Sequence, residues 1–236
     1  MDIRSISLPS RLHPTEFEAQ LEKLKSTSSL TSNTIISSLV TLAELYNNSI
    51  HNLTQRSIDH ALEESLELLD CCSSIREVTQ MAKESARALQ SALRRNAALQ
   101  NDVASYAESR KRVNKCVKKC LKALKKLEAS DHVLRGVTVG VFRSALLFFS
   151  SSSSFSVRSR VARVVGNKCE HHDKGVVNEV GCVDLALRDG GFGKERVLMS
   201  LQNLDRCVDG IEEGLERVFR ELVRCRVNLL NIVTNH

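Results

Sequence analysis

The sequence has no tryptophan, only two prolines, and no glycine before position 136. Both prolines, Pro9 and Pro14, lie near the start, so Thr15 to Arg135 lacks both turn-forming residues. Hairpins and sandwiches need such residues at their reversals, which argues against β-architecture over that whole stretch. Aromatic residues make up 4% of the chain. Hydrophobic residues reach 42% and charged residues 26% of 236, so the chain is too apolar for disorder and long enough for a sizeable core. A long uncharged apolar run is also missing. The best membrane candidate, Val133 to Phe149, contains Arg135 and Arg143 and reads as a buried helix instead.

Charge of one sign is missing locally. Arg110 to Lys126 holds nine basic residues and no acid, against a net charge of +6 for the chain. Asp59 to Asp70 holds Asp59, Glu63, Glu64, Glu67 and Asp70 with no Lys or Arg. The basic surplus is therefore a patch, and the overall charge says little about nucleic acid. The eight cysteines are scattered among helical patterns in a chain that reads as lacking a secretory signal. Reduced, buried thiols in an intracellular protein are expected, rather than a disulfide framework.

The expected fold class is all-α, an antiparallel helical bundle of five or six helices with a long C-terminal coiled-coil-like helix. Residues 1–14 read as a disordered tail, 15–149 as the bundle, 150–193 as a mobile connection, and 194–236 as the last helix packing on the bundle. Within the bundle, Asn33 to Asn52 and Ser57 to Arg95 carry helical periodicity. In the second of these, Leu62, Leu66 and Leu69 mark one apolar face, while Leu68, Cys71, Ile75, Val78, Ala82 and Leu89 mark another. A helix apolar on two faces belongs at the centre of its bundle. In Ala97 to Ala129 a seam of Val113, Val117, Cys120, Leu124 and Leu127 opposes the lysines, and Arg110 strays toward it. There its aliphatic stem would lie flat. Asp131 is the expected N-cap of the next helix.

Ser150 to Ser156 holds six serines, and periodicity fails from there to Gly193 except for a short helical pattern near Asn178 to Arg188. The strongest pattern follows. Val197, Leu201, Leu204, Val208, Ile211, Leu215, Val218, Leu222, Cys225, Leu229 and Ile232 keep strict four-three spacing. Gly210 and Gly214 lie off this seam and each costs about 1 kcal/mol against alanine, so the helix draws its stability from packing.

Several segments carry a resemblance. Arg4-Ser5-Ile6-Ser7-Leu8-Pro9-Ser10-Arg11-Leu12-His13-Pro14, Glu64-Ser65-Leu66-Glu67-Leu68-Leu69-Asp70, Ser109-Arg110-Lys111-Arg112 with its lysine-rich continuation, and Val227-Asn228-Leu229-Leu230-Asn231-Ile232 resemble the plant-specific BYPASS-like family. None of the four is a catalytic motif. The resemblance implies an all-helical fold and a role in root and shoot development, and supplies no catalytic residues.

Motifs for chemistry are few. Gly190-Gly191-Phe192-Gly193-Lys194-Glu195 suggests a phosphate loop, but Arg188 stands at the first glycine and Glu195 at the hydroxyl position. A flexible lead-in to the last helix is the better reading. Cys169, His171, His172 and Cys182 are zinc-type donors in one stretch, without Cys-x-x-Cys or His-x₃₋₅-His spacing. Cys116 and Cys120, one helical turn apart, read as small core residues. The chain is expected to be non-enzymatic, without cofactor or metal.

The expected function is an interaction or scaffold protein in plant root and shoot development, with peripheral membrane association as the alternative. For the alternative, Lys111, Lys115, Lys118, Lys119, Lys122, Lys125 and Lys126 form one face for anionic surfaces; the competing reading is a plain solvated face, partly neutralised by the Asp59–Asp70 segment. Few aromatics accompany them, which argues against sequence-specific nucleic acid. Arg4, Ser7 and Pro9 have the R-S-x-S-x-P form that phosphoserine adaptors accept. The expected partners are other proteins, with a phosphoserine adaptor and an anionic membrane surface as further ones. The expected compartment is cytoplasmic, with nuclear or plastid association left open.

Overall fold

A computed structural model describes residues 14–26, 31–48, 55–95, 99–128, 132–150, 178–188 and 193–234. The described residues form seven helices and no strand: α1 (Pro14–Ser26), α2 (Ser32–Asn48), α3 (Gln55–Arg94), α4 (Leu99–Leu127), α5 (Val133–Phe149), α6 (Glu179–Arg188) and α7 (Lys194–Thr234). The all-α bundle with a long C-terminal helix is as expected, and the short pattern near Asn178 to Arg188 is α6, a packed helix with Val180, Val183 and Ala186 buried.

The four-three seam of α7 is the organising surface. Val197 through Leu229 of that series are all buried, against α3, α2 and α6. Cross-helix pairs fix the directions. Lys83 meets Asp209 at 2.7 Å and Arg87 meets Asp205 at 2.7 Å, while Arg76 meets Glu216. The numbers fall on α7 as they rise on α3, so this pair is antiparallel. The arginine pairs are exposed and the Lys83 pair is half-buried, and at such positions ion pairs contribute orientation more than stability. Against α2 the numbers rise together. Gly210 faces Ile36, Gly214 faces Leu39, and the Cys225 thiol donates to the Tyr46 carbonyl at 3.2 Å. The α2–α7 pair is therefore parallel, in contrast to the antiparallel α3–α7 pair.

Glycine makes that parallel contact possible. A Cβ at Gly214 would lie 2.8 Å from Leu39 Cβ, and one at Gly210 would lie 2.6 Å from Ile36 Cδ1. Both glycines thus do more than tolerate the helix, because they let α2 approach closely.

α3 is central, touching α4, α5 and α7. Its second face is as expected, with Leu68, Ile75, Val78, Ala82 and Leu89 buried. The first face is not a core face. Leu66 is 49% exposed, because the turn it occupies points away from every neighbouring helix, and only Leu69 of that set is buried. α5 spans the residues of the apolar candidate and buries Phe142, Phe148 and Phe149 completely. Among the described residues, no helix is long and apolar enough to cross a membrane. Asp131, the expected cap of α5, lies outside the described residues. The N-cap position of the described helix is His132, extended at φ −75° and ψ 115°, whose side chain makes no capping hydrogen bond.

The two glycines separate a tight contact from a yielding one. The tightest contact of Gly210→Ala is with the terminal Cδ1 of Ile36, which can swing aside, so the helix-propensity gain of about 1 kcal/mol should leave stability equal or higher. Gly214→Ala meets the root of Leu39 and should lower stability by about 1–2 kcal/mol net, since overpacking of about 1–3 kcal/mol outweighs that gain. Leu215→Ala should cost about 2–5 kcal/mol. Urea unfolding of the three variants checks all three signs.

Candidate functional site

One group of polar side chains in the interior gathers around an arginine. Arg135, in the first turn of the apolar α5, needs partners wherever it is buried. Its Nη1 donates to Glu64 Oε1 at 2.8 Å, its Nη2 to Glu67 Oε2 at 2.9 Å, and its Nε to the Leu127 carbonyl at 3.0 Å. One planar fork thus ties α3, the C-terminus of α4 and the start of α5, a geometry an ammonium cannot reproduce. Glu64 is 9% exposed and also lies 3.3 Å from His60 Nδ1, one helical turn earlier. The rings of His60 and His132 are 5.7 Å apart at an interplanar angle of 46°. Beside this cluster is a cleft of about 160 Å³, lined in part by Tyr46, Glu64, His132, Arg135 and Cys225. Tyr46 is hydrogen-bonded to Thr138 at 2.7 Å, and burial raises its phenol well above the ordinary range. Arg226 of α7 reaches Ser65 Oγ at 3.0 Å.

A second buried ion pair joins α4 to α6. Arg110 is 5% exposed and its Nη2 meets Asp184 Oδ2 at 3.3 Å, while its Nη1 donates to the Phe149 carbonyl at 2.9 Å. Asn178 complements it by donating to the Phe148 carbonyl and accepting from the Gly181 amide. Together they satisfy carbonyls at the end of α5 that the helix itself leaves open. Arg110 therefore does not lie flat along the seam. It occupies the seam and is neutralised there.

The lysine face is placed as the spacing predicts. Lys111, Lys115, Lys118, Lys119, Lys122, Lys125 and Lys126 are all exposed on α4. Lys111 pairs with Glu108 at 3.1 Å, and no carboxylate of the described residues pairs with the other six. The expected neutralisation by the Asp59–Asp70 segment does not hold for Glu64 and Glu67, because both turn to Arg135. Arg4, Ser7 and Pro9 lie outside the described residues, as do Cys169, His171 and His172. Gly193 precedes α7, whose first residues Lys194 and Glu195 are exposed, and Gly190 to Phe192 lie outside the described residues.

The thiols divide by environment. Cys72 and Cys225 are buried, Cys71, Cys116, Cys120 and Cys207 are half-buried, and Cys182 is exposed, contrary to the expected burial. Cys182 sits on the outer face of α6, turned from α7. Burial pushes Cys71 up to about 11 and Cys72 up to about 12. Such groups stay as thiols at neutral pH and are weak nucleophiles.

Spacing alone pointed to none of His60, His132 and the Arg135 fork. Two signals were present: the His60–Glu64 interval of one turn, and an arginine in an otherwise apolar helix.

Comparison with known proteins matches the chain to a family model. The family model described as Protein BPS1 matches residues 20–232. That span includes three of the four segments that carry the BYPASS-like resemblance, and the N-terminal segment precedes it. No curated protein and no solved structure matches.

Two measurements follow from this chemistry. Asp184→Asn leaves Arg110 buried without its counter-charge and should cost about 3–5 kcal/mol in urea unfolding, whereas Arg110→Met with Asp184→Leu should recover much of that loss. Alkylation of the folded protein at pH 8 should modify Cys182 well before Cys71 or Cys72. With its thiol held at about 11, Cys71 is ionised in about one molecule in a thousand at that pH, and its reactivity should climb as pH rises toward 11.

Proposed function

This chain belongs to the BPS1 family, and from that premise we propose that it is a non-enzymatic helical interaction protein acting in plant root and shoot development. The observation that carries the reading is a second apolar stripe on α7. Val223, Val227 and Leu230 repeat the four-three spacing, yet all three are exposed and turned from the buried seam. Leu66 of α3, next to the Ser65 that Arg226 holds, is exposed as well. An apolar helical stripe outside the core is the kind of surface that receives a partner helix. The non-catalytic part of the reading is supported by thiols held protonated and by a buried carboxylate engaged with arginine.

Proximity labelling in plant tissue tests this. A Val227→Asp/Leu230→Asp variant should keep its melting temperature and lose a reproducible set of neighbours. An unchanged set of neighbours would overturn the reading.

The six lysines of α4 that pair with no carboxylate among the described residues favour a second reading, weak association with anionic membrane surfaces. Each cation near such a surface contributes about 1 kcal/mol. Replacing Lys115, Lys118, Lys122 and Lys125 by Gln should abolish sedimentation with anionic vesicles and leave neutral vesicles unaffected. Intact protein that ignores anionic vesicles at low salt, where screening is weakest, would remove this reading. For the tail, Ser7 phosphorylation would supply about −1.5 to −2 charges for an adaptor's arginine cluster. A Ser7-phosphorylated peptide of residues 1–15 should then bind a phosphoserine adaptor more tightly than its unphosphorylated twin.

A further inference from the structure

We propose that His60, Glu64 and His132 form a binding site for a borderline divalent metal ion of the zinc type, clamping the start of α3 to the start of α5. One ligand atom from each residue lies within 4.8 Å of the other two. In a tetrahedral zinc site with bonds of about 2.0–2.1 Å, donor atoms stand about 3.3 Å apart, so each side chain needs to shift by only about an ångström. The exposed His60 supplies freedom to move, since its side chain is 58% exposed while that of Glu64 is 11% exposed. His60 and Glu64 are one turn apart on α3 and share a face.

His132 adds an independent observation. It fills an N-cap position, where Ser, Thr, Asp or Asn would normally bond the first free amides, and its side chain makes no such bond. Instead its ring lies beside that of His60. Two imidazoles and one carboxylate are the donor set of open zinc sites, with the remaining position taken by water. Glu64 and His132 also line the cleft of about 160 Å³, which gives that water a place.

Two features oppose a cation, and they select which one binds. Arg135 lies against Glu64, and the N-terminus of α5 presents partial positive charge. Arg135 is also met by Glu67 and by the Leu127 carbonyl, so Glu64 can turn its charge to a metal without stranding the guanidinium. A hard ion such as Mg²⁺ or Ca²⁺ would find a single carboxylate here and gain little from imidazole. An ion that prefers imidazole nitrogen gains two strong donors, which points to Zn²⁺.

The test is titration of the chelator-stripped full chain with Zn²⁺, in parallel with His60→Ala, His132→Ala and a Cys169→Ser/His171→Ala/His172→Ala variant. The wild type should bind one equivalent that either histidine variant weakens at least tenfold and that the loop variant retains. Because His60 is exposed, His60→Ala should match the wild-type melting temperature without zinc and lack the rise that zinc gives the wild type. Co²⁺ in the site should show tetrahedral ligand-field bands without a thiolate charge-transfer band. Equal Zn²⁺ affinity in His60→Ala and wild type, loss of the bound equivalent only in the loop variant, or a thiolate band would each overturn the assignment. So would millimolar Mg²⁺ displacing the zinc.

Discussion

A helix of 41 residues with apolar side chains at alternating intervals of four and three has to be covered along nearly its whole length, and the rest of this fold is arranged to do so. No single helix of the chain is placed to cover it alone. α3 takes one flank in antiparallel register and α2 takes another in parallel register, with α6 closing the N-terminal part. The parallel contact needs room at the α7 backbone, because α2 packs directly over two of its residues. It is achieved by removing side chains at Gly210 and Gly214, so that Ile36 and Leu39 sit almost on the α7 backbone. Two residues that weaken α7 in isolation thereby secure the packing that stabilises it.

Apolar periodicity made most of this architecture legible. The seam of α7, the seam of α4, the apolar α5 and the short α6 are all visible as spacing, because burial against a neighbour imposes a period on one chain segment at a time. What spacing does not encode is the identity of the neighbour. The parallel placement of α2 and the outward turn of Leu66 both follow from which helices lie alongside, and no local pattern distinguishes those cases. Buried charges show the same limit more sharply. Arg110 stands at a seam position and looks like a stray, until Asp184, 74 residues later, arrives beside it. Arg135 looks like an interruption of an apolar helix, until Glu64 and Glu67 are brought to it. A buried guanidinium announces that partners exist without saying where. The histidine–carboxylate cluster was hidden for a related reason, since His132 belongs to a different helix from His60 and Glu64 and only the α3–α5 contact unites them.

The same inward recruitment of acids determines what the surface offers. Glu64 and Glu67 come from the acidic stretch that would otherwise temper the lysines of α4, and their turn toward Arg135 leaves six of those lysines without a described counter-charge. Repulsion among them is tolerated because they are exposed, where water and salt screen each pair beyond about 8–10 Å. The field they project is correspondingly short-ranged and salt-sensitive.

Position then decides what kind of contact such a face can make. α4 and α7 both pack on α3, with little contact between them, so the lysine face and the exposed apolar stripe of Val223, Val227 and Leu230 belong to different flanks of the bundle. Interfacial helices that enter a bilayer combine both features on one helix, with the apolar side sunk among acyl chains and the cations at the headgroups. Here the apolar side of α4 is the buried seam of Val113, Val117 and Leu124, which is already engaged by the core. The proposed attraction to an anionic surface through this helix would therefore proceed without insertion, and the stripe on α7 would stay free for the proposed contacts with protein. The two surfaces are consequently independent, and neither needs the core to rearrange before it can be used.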